Sequence, residues 1–135
     1  MQLSLIIALS VHILSTTFWA GSTFALARTA GRGSDKLFVS QLLAPAIAIS
    51  AGGYLWHMLH GGSFGVGEQL LGAGAVAALI ALAIQAAVVG GALRQLSKAG
   101  GDDDASVQRR VAVAQRGAAI LLATAAVTMA AARYA

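Results

Sequence analysis

The sequence has no cysteine, one proline and few charged residues. Without thiolates the chain cannot form disulfides, thiolate zinc sites, iron–sulfur clusters or the covalent attachment of c-type haem. Charged residues make up only 10% of the chain, whereas hydrophobic residues make up 58% and the mean hydropathy is +0.77. These values argue against an ordinary soluble domain and are typical of an integral membrane protein.

The positive charge of the chain does not indicate a nucleic-acid partner. Nine Lys and Arg stand against five Asp and Glu, which gives a net charge of +4. The basic residues lie near the ends of apolar segments, and no basic run is interleaved with aromatic residues as in nucleic-acid-binding surfaces. We therefore expect no nucleic-acid binding. Ala and Gly supply much of the apolar content, which favours close helix packing.

Four apolar segments are long enough to cross a hydrocarbon core of about 30 Å as helices. We predict these helices at about residues 3–27, 37–60, 69–93 and 111–133. The polar stretch 94–110 is the longest connection and is predicted to be a solvent loop. The prediction is an all-α fold in which residues 1–135 form one integral membrane four-helix bundle.

The basic residues set the expected orientation in the membrane. Seven of them lie in or beside the first and third loops: Arg28, Arg32, Lys36, Arg94, Lys98, Arg109 and Arg110. Basic loops stay in the cytoplasm, so both termini should lie outside, an N-out/C-out topology. We expect a multi-pass protein surrounded by the lipid bilayer of the bacterial inner membrane.

Three histidines provide the main functional signal, because this topology places all of them in the outer half of the bundle. His12 lies within an uncharged segment, where an unpaired polar group costs several kcal/mol. It therefore needs a hydrogen bond, a metal or water. His57 and His60 lie at the end of the second segment. Helical rise separates His12 and His57 in depth by roughly 9 Å.

Haem b is the first ligand that these residues suggest, because imidazoles on facing helices commonly hold cofactors in bundles. His12 would be the axial ligand, with His57 or His60 as the second ligand or a propionate partner. Trp19 is at i+7 from His12, on the same helical face, and would line the pocket. The plainer interpretation is that His12 hydrogen-bonds a neighbouring helix.

Copper is the second candidate ligand, and all three histidines are candidate metal ligands. His57 and His60 share a helical face at i, i+3, and Met58 or Met129 would add a thioether. Imidazole and thioether together suit a cuprous ion. The alternative is that the two histidines at the end of the second segment only contact lipid headgroups.

Short motifs resemble a known group of membrane proteins. Residues 12–21 read His-Ile-Leu-Ser-Thr-Thr-Phe-Trp-Ala-Gly. This text resembles the first helix of the copper-resistance D-type and four-helix protoporphyrinogen oxidase families, which carry a His followed by Trp-x-Gly. Pro45-Ala46 and Gly52-Gly53 are similar to a Pro-Ala and later Gly in their second helix. The resemblance implies haem b ligation by His12 or movement of copper across the inner membrane.

The chain departs from the oxidase family at its other motifs. That family has a lysine at the start of the third helix, a histidine further along it and an Asn-Glu-x-Pro element in the last helix. The corresponding regions here hold Glu68-Gln69, Gln85 and residues 114–117, Ala-Gln-Arg-Gly. The resemblance therefore does not extend to porphyrinogen oxidation, and no catalytic residue is assigned.

Three functions follow from these observations. The first is haem b binding in a redox, electron-transfer or haem-handling role, with electrons passing to a quinone or a larger membrane complex. The second is an accessory transmembrane subunit of a respiratory or photosynthetic complex, or a homo-oligomer, without its own cofactor; Ala- and Gly-rich helices suit such association. The third is copper transport.

Overall fold

The structure, a computed structural model, describes residues 2–62, 64–98 and 105–135. All regular elements in these ranges are helical: α1 (Gln2–Arg28), α2 (Ser34–Leu59), α3 (Val66–Ile84), a π-helical turn (Gln85–Val89), α4 (Gly90–Lys98) and α5 (Ala105–Ala132). The π turn joins α3 and α4 into one span, so four helical spans are long and apolar enough to cross a membrane. The all-α prediction is confirmed.

The helices extend further into the polar connections than the sequence predicted. α2 begins at Ser34 rather than 37, α4 continues to Lys98 rather than ending at 93, and α5 begins at Ala105 rather than 111. Asp35 in the first turn of α2 interacts favourably with the helix dipole. Val107 and Val111 are buried against the π turn and α4. Tertiary packing therefore stabilises turns that hydropathy assigns to loops. The rest of the predicted third loop, residues 99–104, lies outside the described residues.

The spans pack in the order α2, α1, α5 and α3. α1 contacts both α2 and α5, and α3 packs along α5, while α2 contacts the third span at the π turn. Small residues permit this close packing. At Gly74 of α3, a Cβ would lie 2.7 Å from Thr128 Oγ1 and 3.1 Å from the carbonyl oxygen of Ala125. The backbones of α3 and α5 thus approach too closely for any larger residue at this position.

The connection between α1 and α2 packs against α5. Gly31 has φ +82°, a left-handed conformation that other residues rarely adopt, and its Cα faces Val111 so closely that a Cβ would lie 2.7 Å from Val111 Cγ1. The end of the bundle that holds this turn also carries five arginines, and we call this end the basic end. They are Arg28, Arg32, Arg94, Arg109 and Arg110. The close contact between the α1–α2 turn and α5 therefore lies at the basic end.

Buried side chains in the α1–α2 hairpin are confined to the half nearer the basic end. They are Trp19, Thr23 and Leu26 in α1 and Ser34, Gln41, Ala44, Pro45 and Ala48 in α2. Residues 2–18 and 49–59, the open half of the hairpin, contribute no buried residue. Its apolar side chains are uncovered; Leu3 and Leu14, for example, are 69% and 70% exposed. In the isolated chain this surface therefore has no protein covering it.

Candidate functional site

The described core contains a group of polar side chains among apolar helices. Thr23, Gln41, Gln85 and Gln115 are each 0% exposed. They come from α1, α2, the π turn and α5, one from each of the four spans. An amide or hydroxyl buried without a partner costs several kcal/mol. Each of these groups therefore depends on the others for its hydrogen bonds.

The four side chains form a closed ring of hydrogen bonds, which we call the polar ring. Gln85 Nε2 donates to Thr23 Oγ1 at 2.8 Å and to Gln115 Oε1 at 3.3 Å. Gln115 Nε2 donates to Gln41 Oε1 at 3.2 Å. Gln41 Nε2 donates to Thr23 Oγ1 at 3.2 Å, which closes the circuit. Side chains from all four spans are thus linked at one level of the bundle.

Neighbouring groups complete the hydrogen bonding of the polar ring. Trp19 Nε1 donates to Gln85 Oε1 at 2.7 Å, and Thr23 Oγ1 donates to the carbonyl of Trp19 at 2.7 Å. Gln115 Nε2 also donates to Ser34 Oγ at 3.2 Å. Within the described ranges the one buried side-chain N or O atom without a partner is Nδ1 of His60. Every buried N and O atom of the ring side chains has at least one partner, which supports a structural role for the ring.

The π turn determines where Gln85 lies. A π-helical turn adds one residue to an α-helix and changes the direction of the residues that follow, often at functional positions. Gln85 is the first residue of the turn. Just after it, a Cβ at Gly90 would lie 2.8 Å from Phe38 Cζ. The π turn therefore supplies one residue of the polar ring and lies next to the contact between α2 and the third span.

Sequence reasoning noted Gln85 and Gln115 inside apolar segments but assigned them no role. A signal was present in the sequence, because the second, third and fourth segments each carry one glutamine in their interior. Burial of an unpaired amide in an apolar span costs free energy, so these glutamines need partners. Trp19, predicted to line a cofactor pocket, is 2% exposed and donates a hydrogen bond to Gln85 of the polar ring. Its indole N–H is thereby already used.

His12 contacts α2 through a well-defined hydrogen bond. Its Nδ1 lies 2.8 Å from the carbonyl oxygen of Ala48. A carbonyl only accepts, so Nδ1 carries the proton and Nε2 carries the lone pair. Gly52 makes the approach possible, because a Cβ there would lie 2.9 Å from His12 Cε1. His12 is half-buried, and no described residue hydrogen-bonds its Nε2.

The other two histidines lie apart from His12. His57 is exposed and lies about 7.5 Å beyond Gly52 along the helix axis. His60 stacks on Trp56 with ring centroids 5.0 Å apart, and its Nε2 is 3.9 Å from Glu68 Oε1. Among the residues with described positions, no group of three His, Asp or Glu converges as a metal site. The structure therefore does not bring the three histidines together.

Glu68 fixes the turn between α2 and α3. Its Oε2 accepts a hydrogen bond from the backbone N–H of Gly65 at 2.9 Å, which satisfies a donor ahead of the first turn of α3. Its other carboxylate oxygen faces His60. His60 and Glu68 therefore have a structural role in this turn, separate from the surroundings of His12.

Replacement of Gln115 by Leu should destabilise the bundle. The substitution removes bonds to Gln85, Gln41 and Ser34 and leaves buried groups unpaired, which should lower the free energy of unfolding by about 1–3 kcal/mol. Gln108→Leu, on the exposed face of the same helix, should change it by less than about 0.5 kcal/mol. Unfolding in SDS–detergent mixtures, followed by circular dichroism, measures both. Equal effects of the two variants would contradict the assignment.

No protein-family model, curated protein or solved structure matches this chain. The resemblance to copper-resistance D-type and four-helix oxidase proteins therefore stays a prediction based on short motifs. Function is inferred from the chain's own residues, and above all from the contacts of His12.

Proposed function

We propose that this chain is an inner-membrane protein that crosses the bilayer four times and binds haem b through Nε2 of His12. The observation that carries the proposal is the bond from His12 Nδ1–H to the Ala48 carbonyl. Histidines that ligate metals almost always donate their second ring N–H to a carbonyl, a carboxylate or water, which fixes the tautomer and the ring orientation. His12 has this arrangement, and no described residue hydrogen-bonds the opposite nitrogen.

The surroundings of His12 fit a single imidazole ligand. Gly52 leaves room for the ring against α2, and the Ala48 carbonyl fixes its plane. The open half of the α1–α2 hairpin offers uncovered apolar side chains next to it, which a flat macrocycle can cover. His57 and His60 do not supply the second ligand in this arrangement, because they lie further towards the end of α2 and in the following turn.

A bound haem would supply one-electron redox chemistry, which agrees with a role in electron transfer or haem handling. The part played by the chain is limited to what its residues do. His12 binds, Ala48 orients the imidazole, and Gly52 gives it space. The polar ring holds the four spans together at a level between the basic end and His12. A quinone or a larger membrane complex is the redox partner consistent with this location.

An accessory subunit without a cofactor is the second candidate, and the open half of the hairpin favours it. Residues 2–18 and 49–59 have no buried side chain, whereas the half of the hairpin nearer the basic end has several. A helix from another membrane subunit, or from a second copy, could cover this surface. The imidazole of His12 would then only hydrogen-bond α2, as in the plainer interpretation. The two functions differ in whether the purified protein carries haem.

His12→Ala should abolish the haem absorption of the detergent-purified protein. Gly52→Ala should weaken haem binding by about 10–100-fold with the ligand still present, because the added Cβ displaces the imidazole from its orientation. Gly53→Ala is the matched control, since a Cβ there meets no atom within 4 Å. His57→Ala should also keep the haem. The measurement is the dithionite-reduced minus oxidised spectrum, with haem titration for the affinities.

Two results would contradict the haem proposal. One is a wild-type protein that stays colourless after expression with an adequate haem supply. The other is an unchanged spectrum in His12→Ala. A colourless protein that co-purifies with a larger membrane complex, and whose association fails when bulky charged residues replace Leu3 and Leu14, supports the accessory subunit instead.

The proposed topology predicts opposite accessibility of the first two turns. The chain has no cysteine, so single substitutions can be labelled without background. Gly61→Cys, in the turn with few charges, should react with a membrane-impermeant maleimide in intact spheroplasts. Thr29→Cys, at the basic end, should react only after the membrane is permeabilised. Both positions are exposed, and neither substitution removes a basic residue. Reaction of Thr29→Cys in intact spheroplasts would contradict the N-out/C-out topology.

A further inference from the structure

A groove at the basic end of the bundle combines apolar walls with two arginines. It has a volume of about 740 Å³ and lies between α5 and the junction of α3 with the π turn. Ile84, Val88, Val113 and Gly117 line it. A Cβ at Gly117 would meet no atom within 4 Å, so there is open space beside this residue.

Arg109 and Arg110 line the same groove nearer the start of α5. Both are exposed, and neither forms an ion pair with a carboxylate among the residues that the structure describes. Arg110 Nη2 donates to Gln95 Oε1 at 3.4 Å, and most of its five N–H donors make no hydrogen bond to a residue in the described ranges. Two adjacent guanidinium groups favour an anion, and phosphate in particular, because its oxygens accept paired N–H donors.

The charged and apolar parts of the groove are ordered along the helix axis. Gly117 lies about 12 Å from Arg109 by helical rise, towards the middle of the span. An occupant that satisfies both parts needs an anionic group at the membrane interface and a hydrocarbon chain that continues into the membrane. A soluble phosphate ion would contact the arginines and leave the apolar walls uncovered. A membrane phospholipid has both parts in the required order.

We propose that this groove binds one anionic phospholipid of the bilayer, with its phosphate on Arg109 and Arg110 and an acyl chain along Val88, Val113 and Gly117. Basic pockets between spans on the cytoplasmic side are suited to anionic headgroups. The site is independent of His12 and of haem. It requires only the membrane insertion proposed above.

A second groove at the same end provides an internal comparison. It has a volume of about 690 Å³ and lies between α2 and the π turn and α4. Its lining residues include Asp35 as well as Arg94, whose opposite charges sum to zero, so it offers an anion no net attraction. Gly91 also lines it, and a Cβ there meets no atom within 4 Å. Gly91→Leu is therefore a matched control for Gly117→Leu.

Native mass spectrometry of the purified protein tests the site, with dioleoyl phosphatidylglycerol and dioleoyl phosphatidylcholine as probes. One phosphatidylglycerol per chain should bind more tightly than phosphatidylcholine. Arg109→Gln or Arg110→Gln should each weaken phosphatidylglycerol binding about fivefold, and the double variant about 30-fold, with little change for phosphatidylcholine. Gly117→Leu should weaken the binding of both lipids by filling the groove, and Gly91→Leu should weaken neither.

Several results would overturn the lipid site. Equal affinity for the two lipids, or an unchanged preference in the double arginine variant, would exclude arginine recognition of the headgroup. Equal losses in Gly117→Leu and Gly91→Leu would place the lipid elsewhere. Full displacement by millimolar inorganic phosphate would identify a soluble-anion site instead. His12→Ala should keep the preference for phosphatidylglycerol even if it loses haem. The two proposals can therefore fail independently.

Discussion

The polar ring is the constraint on which the rest of the bundle depends. In a bilayer the hydrophobic effect does not drive one apolar helix against another, since lipid tails are as apolar as the side chains. Small residues allow close approach, but alanine surfaces specify rotation and register only weakly. Hydrogen bonds among Thr23, Gln41, Gln85 and Gln115 are directional and involve every span. They therefore select one arrangement of helices that packing alone would leave poorly defined.

The position of the ring divides the bundle into two functional regions. On one side, the basic end is closely packed, with the first turn held against α5 and the π turn held against α2. On the other side, the α1–α2 hairpin has no buried residue, and His12 hydrogen-bonds the described residues through Nδ1 alone, next to exposed apolar side chains. A packed region and an uncovered region in one small chain agree with the proposed binding of a cofactor or another subunit at the open half.

The sequence predicted the elements well because length and hydropathy are local properties. It misplaced the polar ends of helices, where Val107 and Val111 are stabilised by residues distant in sequence. The polar ring could not be assembled from sequence, because which amides meet depends on the rotation of each helix. For His12, the need for a partner was anticipated from its position in an uncharged segment. The carbonyl of Ala48 as the acceptor was not.

The central claim, that the ring is a single closed circuit, is tested most directly by a double-mutant cycle between Gln41 and Gln85. These two amides bond the same two residues, Thr23 and Gln115, and make no hydrogen bond to each other. In a closed circuit, the losses in unfolding free energy for Gln41→Leu and Gln85→Leu should be coupled by about 0.5–1.5 kcal/mol. Additivity within about 0.3 kcal/mol would show that the two amides act independently and would contradict the account.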